Sequence, residues 1–391
     1  MMISRIKLTN WKNFQNVDFQ LKSRAFIVGA NASGKSNLID VIRFLRDVVK
    51  QSGGLQHAVD VRGGISKIRC LSARKVSNIS IEIDLADSID EKLLWNYKLS
   101  FKHTGGGIFK NEATIVEESV CDLSEKSKKQ ILNRTDTDSS EDNETKKFTH
   151  LEQINSNTKF REIYNFFKEI QYLHIIPQLI RESNSYMLTV DKEDYYGRNL
   201  IEKMSKTPEK IKTSYFRKIN EFLKIAVPQL KELNLINDDM GIPHLQAVYE
   251  HWRAKGAKQQ ETQFSDGTLR LIGFMWALLD GNETILLEEP ELYLNTEIIK
   301  QIPGMISRFQ RKKNKTRQVI ITTHSYDLLD NNSMEPDEII ILKPDSEGTQ
   351  IKSALNYPEI LNYLDSGFTI AESVIPKVTP ENITRLLEIS L

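Results

Sequence analysis

Eight consecutive residues, Gly29-Ala30-Asn31-Ala32-Ser33-Gly34-Lys35-Ser36, stand between the apolar run Ala25-Phe26-Ile27-Val28 and a helical pattern of Leu38, Ile39, Val41, Ile42, Phe44 and Leu45. Strand, glycine loop and helix in that order suit a nucleotide phosphate. Glycines let the loop bend so that successive backbone N–H groups converge, and the following helix adds its positive N-terminal end. Lys35 then reaches the β and γ phosphates, and the Ser36 hydroxyl can ligate Mg²⁺.

A chain of 391 residues has room for two or three domains, or for one α/β domain with insertions. Its 53 Lys and Arg balance 53 Asp and Glu, so contact with nucleic acid requires a local patch rather than the field of the whole molecule. Cys70 and Cys121 are too few for a disulfide framework and lie in no Cys-x-x-Cys pattern, as expected of reduced cysteines in the cytoplasm. Charges interrupt the N-terminal apolar residues, and no apolar run approaches ~20 residues, which argues against a signal peptide and a membrane span.

Ile3, Ile6 and Leu8, then Phe14, Val17, Phe19 and Leu21, alternate with polar residues and predict a hairpin leading into the strand before the loop. After a Gly-rich connection at Gly53, Gly54, Gly63 and Gly64, strand patterns at 79–85 and 93–101, continuing through 108–116, predict an antiparallel β lobe. Residues 122–149 are almost all polar and predict a mobile surface loop. Apolar residues at helical spacing predict helices from Phe160 to Leu235, interrupted near Pro177 and Pro228, and 245–252 predicts one more strand.

A second dense signal begins at Phe264-Ser265-Asp266-Gly267-Thr268-Leu269-Arg270, where Ser265 is an N-cap for an apolar helix. The strand 283–287 ends in Glu288 and Glu289, followed by Pro290 and Glu291. Adjacent carboxylates at the end of a buried strand need a partner. With Mg²⁺, one carboxylate can hold the metal while the next orients and deprotonates an attacking water. A further strand, Val319-Ile320-Ile321, runs to Thr322-Thr323-His324-Ser325, and a histidine there can donate to a γ phosphate.

This constellation resembles the ABC-type ATPases of the RecF, structural-maintenance-of-chromosomes (SMC) and OLD group, and most closely the stand-alone bacterial AAA-family ATPases related to OLD. The resemblance covers residues 1–65 and 245–370, including Leu364-Asp365-Ser366-Gly367-Phe368 near the end. It implies an α/β fold, an ABC-type ATPase head made of a P-loop NTPase sheet with helices plus an antiparallel β lobe, with a helical insertion. The middle lies outside the resemblance, and with its polar stretch and helical spacing the expected division is an N-terminal ATPase lobe at 1–120, a variable loop and helical insertion at 121–240, and a C-terminal ATPase lobe at 241–391. The resemblance assigns Asn31, Ala32, Ser33, Gly34, Lys35, Ser36 and Asn37 to ATP binding in the Walker A loop, and Ser36 and Glu288 to Mg²⁺. Glu289 and His324 are the implied catalytic residues. Ser265, Asp266 and Gly267 form the signature, which in this group caps the γ phosphate held by a second copy, so a homodimer closes around two ATP molecules and hydrolysis releases it.

There are departures from the group's pattern. Glu288 stands where many members have Asp, the signature reads Ser-Asp-Gly rather than Ser-Gly-Gly, and Leu294-Asn295 replaces a frequent Leu-His-Pro. Gln56 and Gln171 are both candidates for the Q-loop glutamine. The 67 residues after His324 (391 minus 324) contain no Asp-x-Asp, so no Toprim nuclease is expected there. The leading expectation is a Mg²⁺-dependent ATPase acting as the sensor or motor of a bacterial antiphage defence system, with a nuclease or toxin on another chain. A RecF-like DNA repair clamp and a non-hydrolysing ATP-bound scaffold are the alternatives. Basic residues at Arg308, Arg311, Lys312, Lys313, Lys315 and Arg317, and a weaker set at Trp252, Arg253, Lys255 and Lys258, could touch DNA phosphates; a solvated helix end is the plainer reading of the first.

Overall fold

The alternating residues at the start of the chain form the expected hairpin: β1 (Met2–Trp11) pairs antiparallel with β2 (Phe14–Gln20), with Ile6 opposite Phe19 and Leu8 opposite Val17. The structure is a computed structural model, and it describes all residues except 74–76, 90, 105–111, 126–127, 138–141, 183–194, 251–255, 312–316, 381–382, 384 and 386–391. These form two compact units, one of Met1–Gln171, Glu283–Leu286 and Gln310–Leu391, the other of Tyr172–Asn282 and Leu287–Phe309.

The first unit carries two sheets, with the helix that follows the glycine loop packed against the antiparallel one. β3 (Arg24–Val28) is buried along its whole length, as expected for a strand covered on both faces. Val319–Thr323 pairs with it in parallel on one side and Ile339–Asp345 in parallel on the other, with Gly348–Ser353 returning antiparallel beyond. The antiparallel sheet contains β1, β2, β4 (Ile79–Ala86), β5 (Leu93–Thr104), β6 (Glu112–Asp122) and β7 (Lys129–Thr135), in the order β2-β1-β4-β5-β6-β7. The helix after the glycine loop, α1 (Lys35–Val49), buries Leu38, Ile39, Val41, Ile42, Phe44 and Leu45. Phe44 meets the Trp11 ring edge-on at 5.2 Å and stacks on Phe101 at 5.4 Å, which fastens the helix to the antiparallel sheet.

The stretch 122–149 differs from its reading as a loop. It contains β7, paired with β6, and a 3₁₀ turn at Thr145–Lys147. An edge strand satisfies its backbone through one neighbour and needs little apolar surface, so composition hid it. Arg134 anchors it from inside: the guanidinium donates to the carbonyl oxygens of Phe148 and Thr145, both at 2.7 Å, and pairs with the fully buried Glu118. Burial pushes the Glu118 carboxyl above its ordinary range, against the N–H groups of His150 and Leu151 that favour the charged form.

In the second unit, Leu230–Asn237 is a strand, where helix was expected as far as Leu235. It pairs with Pro243–Tyr249, which in turn pairs with Ala257–Gln260. The helix Glu209–Ala226 covers this sheet, and the amide of Asn220 receives the N–H of Leu233 and donates to its carbonyl, 2.6 and 2.8 Å. The apolar helix Asp266–Leu279 is buried from Thr268 onward, with Tyr215 and Phe216 against Trp276 at 5.2 and 6.1 Å. Pro177 begins a short helix, Pro177–Arg181, rather than ending one, as suits its fixed φ at the first helical position. The expected strand at 245–252 is Pro243–Tyr249, and the rest of it, like 108–111 of the expected β-lobe strand, lies in or beside residues outside the described set.

Truncating the aromatic that joins α1 to the antiparallel sheet tests this arrangement. Phe44→Ala is expected to lower stability by about 3–5 kcal/mol, read from the urea midpoint; a loss under about 1 kcal/mol would mean that this junction does not hold the helix in place.

Candidate functional site

The glycine loop leaves the end of β3 under tight steric limits. A Cβ on Gly29 would lie 2.4 Å from Ser33 Oγ and 3.0 Å from the carbonyl oxygen of Leu342. Gly34 has φ 100° and a Cβ there would lie 2.1 Å from Asn13 Nδ2, so both its conformation and its surroundings exclude a side chain. Ala32 is also left-handed, at φ 62°. Turns of this kind bring backbone N–H groups to a common point where an anion can sit.

Lys35 is buried and folds back over the loop, its ammonium donating to the carbonyl oxygens of Gly29 at 2.9 Å and Ala30 at 3.1 Å. A phosphate oxygen carrying charge is a stronger acceptor than either neutral carbonyl. Ser33 Oγ is fully buried and, among the described residues, has no hydrogen-bond partner. Leaving a hydroxyl in that condition costs about 1–3 kcal/mol, which a ligand oxygen reaching the loop would offset. The first turn of α1 carries no acidic residue, while Asn31, Ala32 and Ser36 are exposed and Asn37 is half-buried. This donor set fits a polyanion with a cation.

Residues far away in sequence hold the loop. Asn13, in the turn between β1 and β2, donates through Nδ2 to the Ser33 carbonyl at 3.1 Å and to Thr349 Oγ1 at 2.7 Å, and its Oδ1 accepts from Asn37 at 2.8 Å. The Thr349 hydroxyl also donates to the Ser33 carbonyl, at 2.9 Å, and the Trp11 indole donates to the Asn37 carbonyl at 3.0 Å. Asn13 and Thr349 carried no signal in the sequence beyond a break in a strand pattern. His324 is exposed and follows Thr323, which pairs with Val28, so the histidine and the loop leave the C-terminal ends of neighbouring parallel strands. Ligands of open α/β sheets bind at such ends.

The second unit carries the other signals. Ser265 caps the helix Asp266–Leu279, its Oγ accepting from the Thr268 N–H at 3.2 Å. Gly267 lies where a Cβ would be 2.9 Å from the carbonyl oxygen of Tyr293, so close packing alone requires a glycine. Glu288 accepts at Oε2 from the Tyr172 hydroxyl at 2.5 Å, and its carbonyl lies 3.2 Å from His174 Nδ1. Glu289 has φ 44°, a left-handed conformation rare outside glycine, asparagine and aspartate and often found at functional sites. Arg270 stabilises it: the guanidinium is buried, donating to the Glu289 carbonyl at 2.6 Å and the Ile175 carbonyl at 2.7 Å. Burial lowers the Arg270 pKa below its ordinary value, with Glu291, Tyr293 and Glu289 opposing.

A protein-family model described as "AAA domain, putative AbiEii toxin, Type IV TA system" matches residues 24–330. The chain belongs to this family. Its fold is that of the ABC-type ATPase heads of the RecF and SMC group: the crystal structure of an SMC head bound to the C-winged helix domain of ScpA superposes with a TM-score of 0.53 at 15% identity, covering 90% of this chain and 97% of that one. The SMC head from Pyrococcus furiosus, with an extended coiled coil and bound to the C-terminal domain of ScpA, gives 0.48 at 14% identity, covering 93% and 99%. No curated protein matches the chain.

Within this AAA-domain family member, the glycine loop and His324 lie in the first unit, and Ser265, Asp266, Gly267, Glu288 and Glu289 in the second. Neither Q-loop candidate presents an idle side chain: Gln56 bonds the Ala113 N–H and the carbonyls of Ala113 and Lys147, and Gln171 accepts from Arg317. Of the basic cluster, Arg308 is exposed, whereas Arg317 is buried and donates to the Glu283 carbonyl at 2.6 Å, a structural role. Residues 312–316 and 251–255 lie outside the described set, as does the Arg311 side chain, and Lys258 is exposed. Arg270 stands in the sequence motif without a role of its own; a lone arginine within the apolar run 269–279 is the signal that marks it. Cys70 and Cys121 are buried and unlinked, and among the described residues no helix is long and apolar enough to cross a membrane.

The loop and the cap make separable demands. Gly34→Ala is expected to abolish ATP binding measured by calorimetry, because the left-handed turn and the Asn13 contact cannot both survive. Ser265→Ala is expected to cost about 1 kcal/mol of stability through the lost cap and to leave ATP binding by the isolated monomer unchanged; unaltered ATP binding by Gly34→Ala would contradict the loop's role.

Proposed function

We propose that the chain binds ATP and Mg²⁺, hydrolyses ATP, and closes as a homodimer around two nucleotides. The observation that supports this best is the loop 29–36, with its left-handed Gly34, its close-packed Gly29, its folded lysine and a buried serine hydroxyl that has no hydrogen-bond partner among the described residues. Asn31 to Asn37 would hold the triphosphate, with Lys35 at the β and γ phosphates. Ser36 and Glu288 are the proposed Mg²⁺ ligands; the ion supplies charge neutralisation on the phosphates. Glu289 accepts the proton of the attacking water and His324 donates to the γ phosphate. Ser265, Asp266 and Gly267 of one copy face the nucleotide of the other.

In cells, the proposed role is sensor or motor of a bacterial antiphage defence system that governs a separate nuclease or toxin. The family description, which names a toxin of a type IV TA system, and the partner domain bound to the SMC head both support a head that works with another protein. A RecF-like clamp on duplex DNA is the alternative. Purifying the native chain with whatever accompanies it separates them: an effector protein supports the first, duplex DNA without one supports the second.

Replacing the base while keeping its shape tests the catalytic core. Glu289→Gln is expected to slow hydrolysis by about 10²–10⁴-fold and to accumulate an ATP-bound dimer in analytical ultracentrifugation. Lys35→Ala should remain monomeric with ATP. Wild-type protein that hydrolyses no ATP with Mg²⁺ and either DNA or its partner would favour the scaffold reading instead.

A further inference from the structure

We infer that Arg181 is a positioning residue for the helix Asp266–Leu279: it cancels the charge of Asp266 so that the N-terminus of that helix can receive a phosphate. This rests on the dimer reading above. Asp266 opens the helix directly after its Ser265 cap. A carboxylate there suits the helix dipole, yet it repels any anion approaching the same N–H groups. For a phosphate to approach these N–H groups, the Asp266 carboxylate therefore needs a countercharge.

Arg181, the last residue of Pro177–Arg181, supplies it. Its Nη2 donates to Asp266 Oδ1 at 2.5 Å and to the Phe264 carbonyl at 2.7 Å, and its Nη1 donates to Gln178 Oε1 at 3.2 Å. Three acceptors fix the planar guanidinium in place. The pair is partly exposed, with side-chain exposures of 20% and 42%, and exposed pairs contribute little to stability. Its consequence is therefore electrostatic: the ligand meets a neutral pair rather than a carboxylate. The positive partner was invisible in the sequence because 85 residues separate the two.

The test is a double-mutant cycle on the ATP-bound dimer in the Glu289→Gln background, with the dimer dissociation constant measured by analytical ultracentrifugation and folding checked by thermal melts. Arg181→Ala is expected to weaken the dimer by at least ~10-fold while leaving the melt unchanged, and by less than ~2-fold when Asp266→Asn is also present. Equal losses in both backgrounds would mean that Arg181 acts on phosphate directly or through the Phe264 loop, and would overturn the inference, as would no loss in either. A Glu289→Gln protein that never dimerises with ATP overturns the dimer reading and this inference together; a dimer indifferent to Arg181 overturns the inference alone.

Discussion

The proposed triphosphate would bring several negative charges into a space too narrow for side chains, and the glycine loop of the first unit meets that demand. Charge of this density is held by fixed dipoles and cations already in place, since donors that must reorganise on binding contribute less. Gly29 and Gly34 make the loop narrow, Lys35 provides the cation, and the absence of acid from the first turn of α1 keeps the approach free of repulsion. The loop cannot hold this shape unaided. Asn13 and Thr349 clamp the Ser33 carbonyl from one side, and the Trp11–Phe44–Phe101 stack sets the helix behind it.

The second unit handles charge by the opposite means, placing a cation inside apolar surroundings. Arg270 loses solvation there and recovers it through carbonyls, one of them belonging to the left-handed Glu289. A buried guanidinium without such acceptors would be strongly destabilising. The acceptors thus fix where the backbone of Glu289 lies, and the Tyr172 hydroxyl fixes the carboxylate of Glu288. Two adjacent acids are held by different neighbours, as different roles would require.

Much of this was legible locally. The strand before the loop, α1, the opening hairpin and the Ser265 cap follow from periodicity and end signals spanning a few residues. What stayed hidden was non-local. Asn13 and Thr349 meet across 336 positions, and no local pattern encodes that pairing. The edge strand Lys129–Thr135 is too polar to announce itself, and Gln171–Leu173 is too short. Leu230–Asn237 keeps only some of its apolar residues inward, so its spacing passed for helical. Arg317 looked like one of several surface charges, and only the fold turns it inward.

In the proposed site a nucleotide is gripped by one copy's glycine loop and another copy's capped helix, and mixing two disabled chains tests this most directly. A Lys35→Ala chain and a Ser265→Glu chain, each inactive alone, should recover ATP hydrolysis when combined, because their heterodimer contains one intact composite site. Mixtures as inactive as the separate chains, with both still folded, would contradict a site shared between two copies.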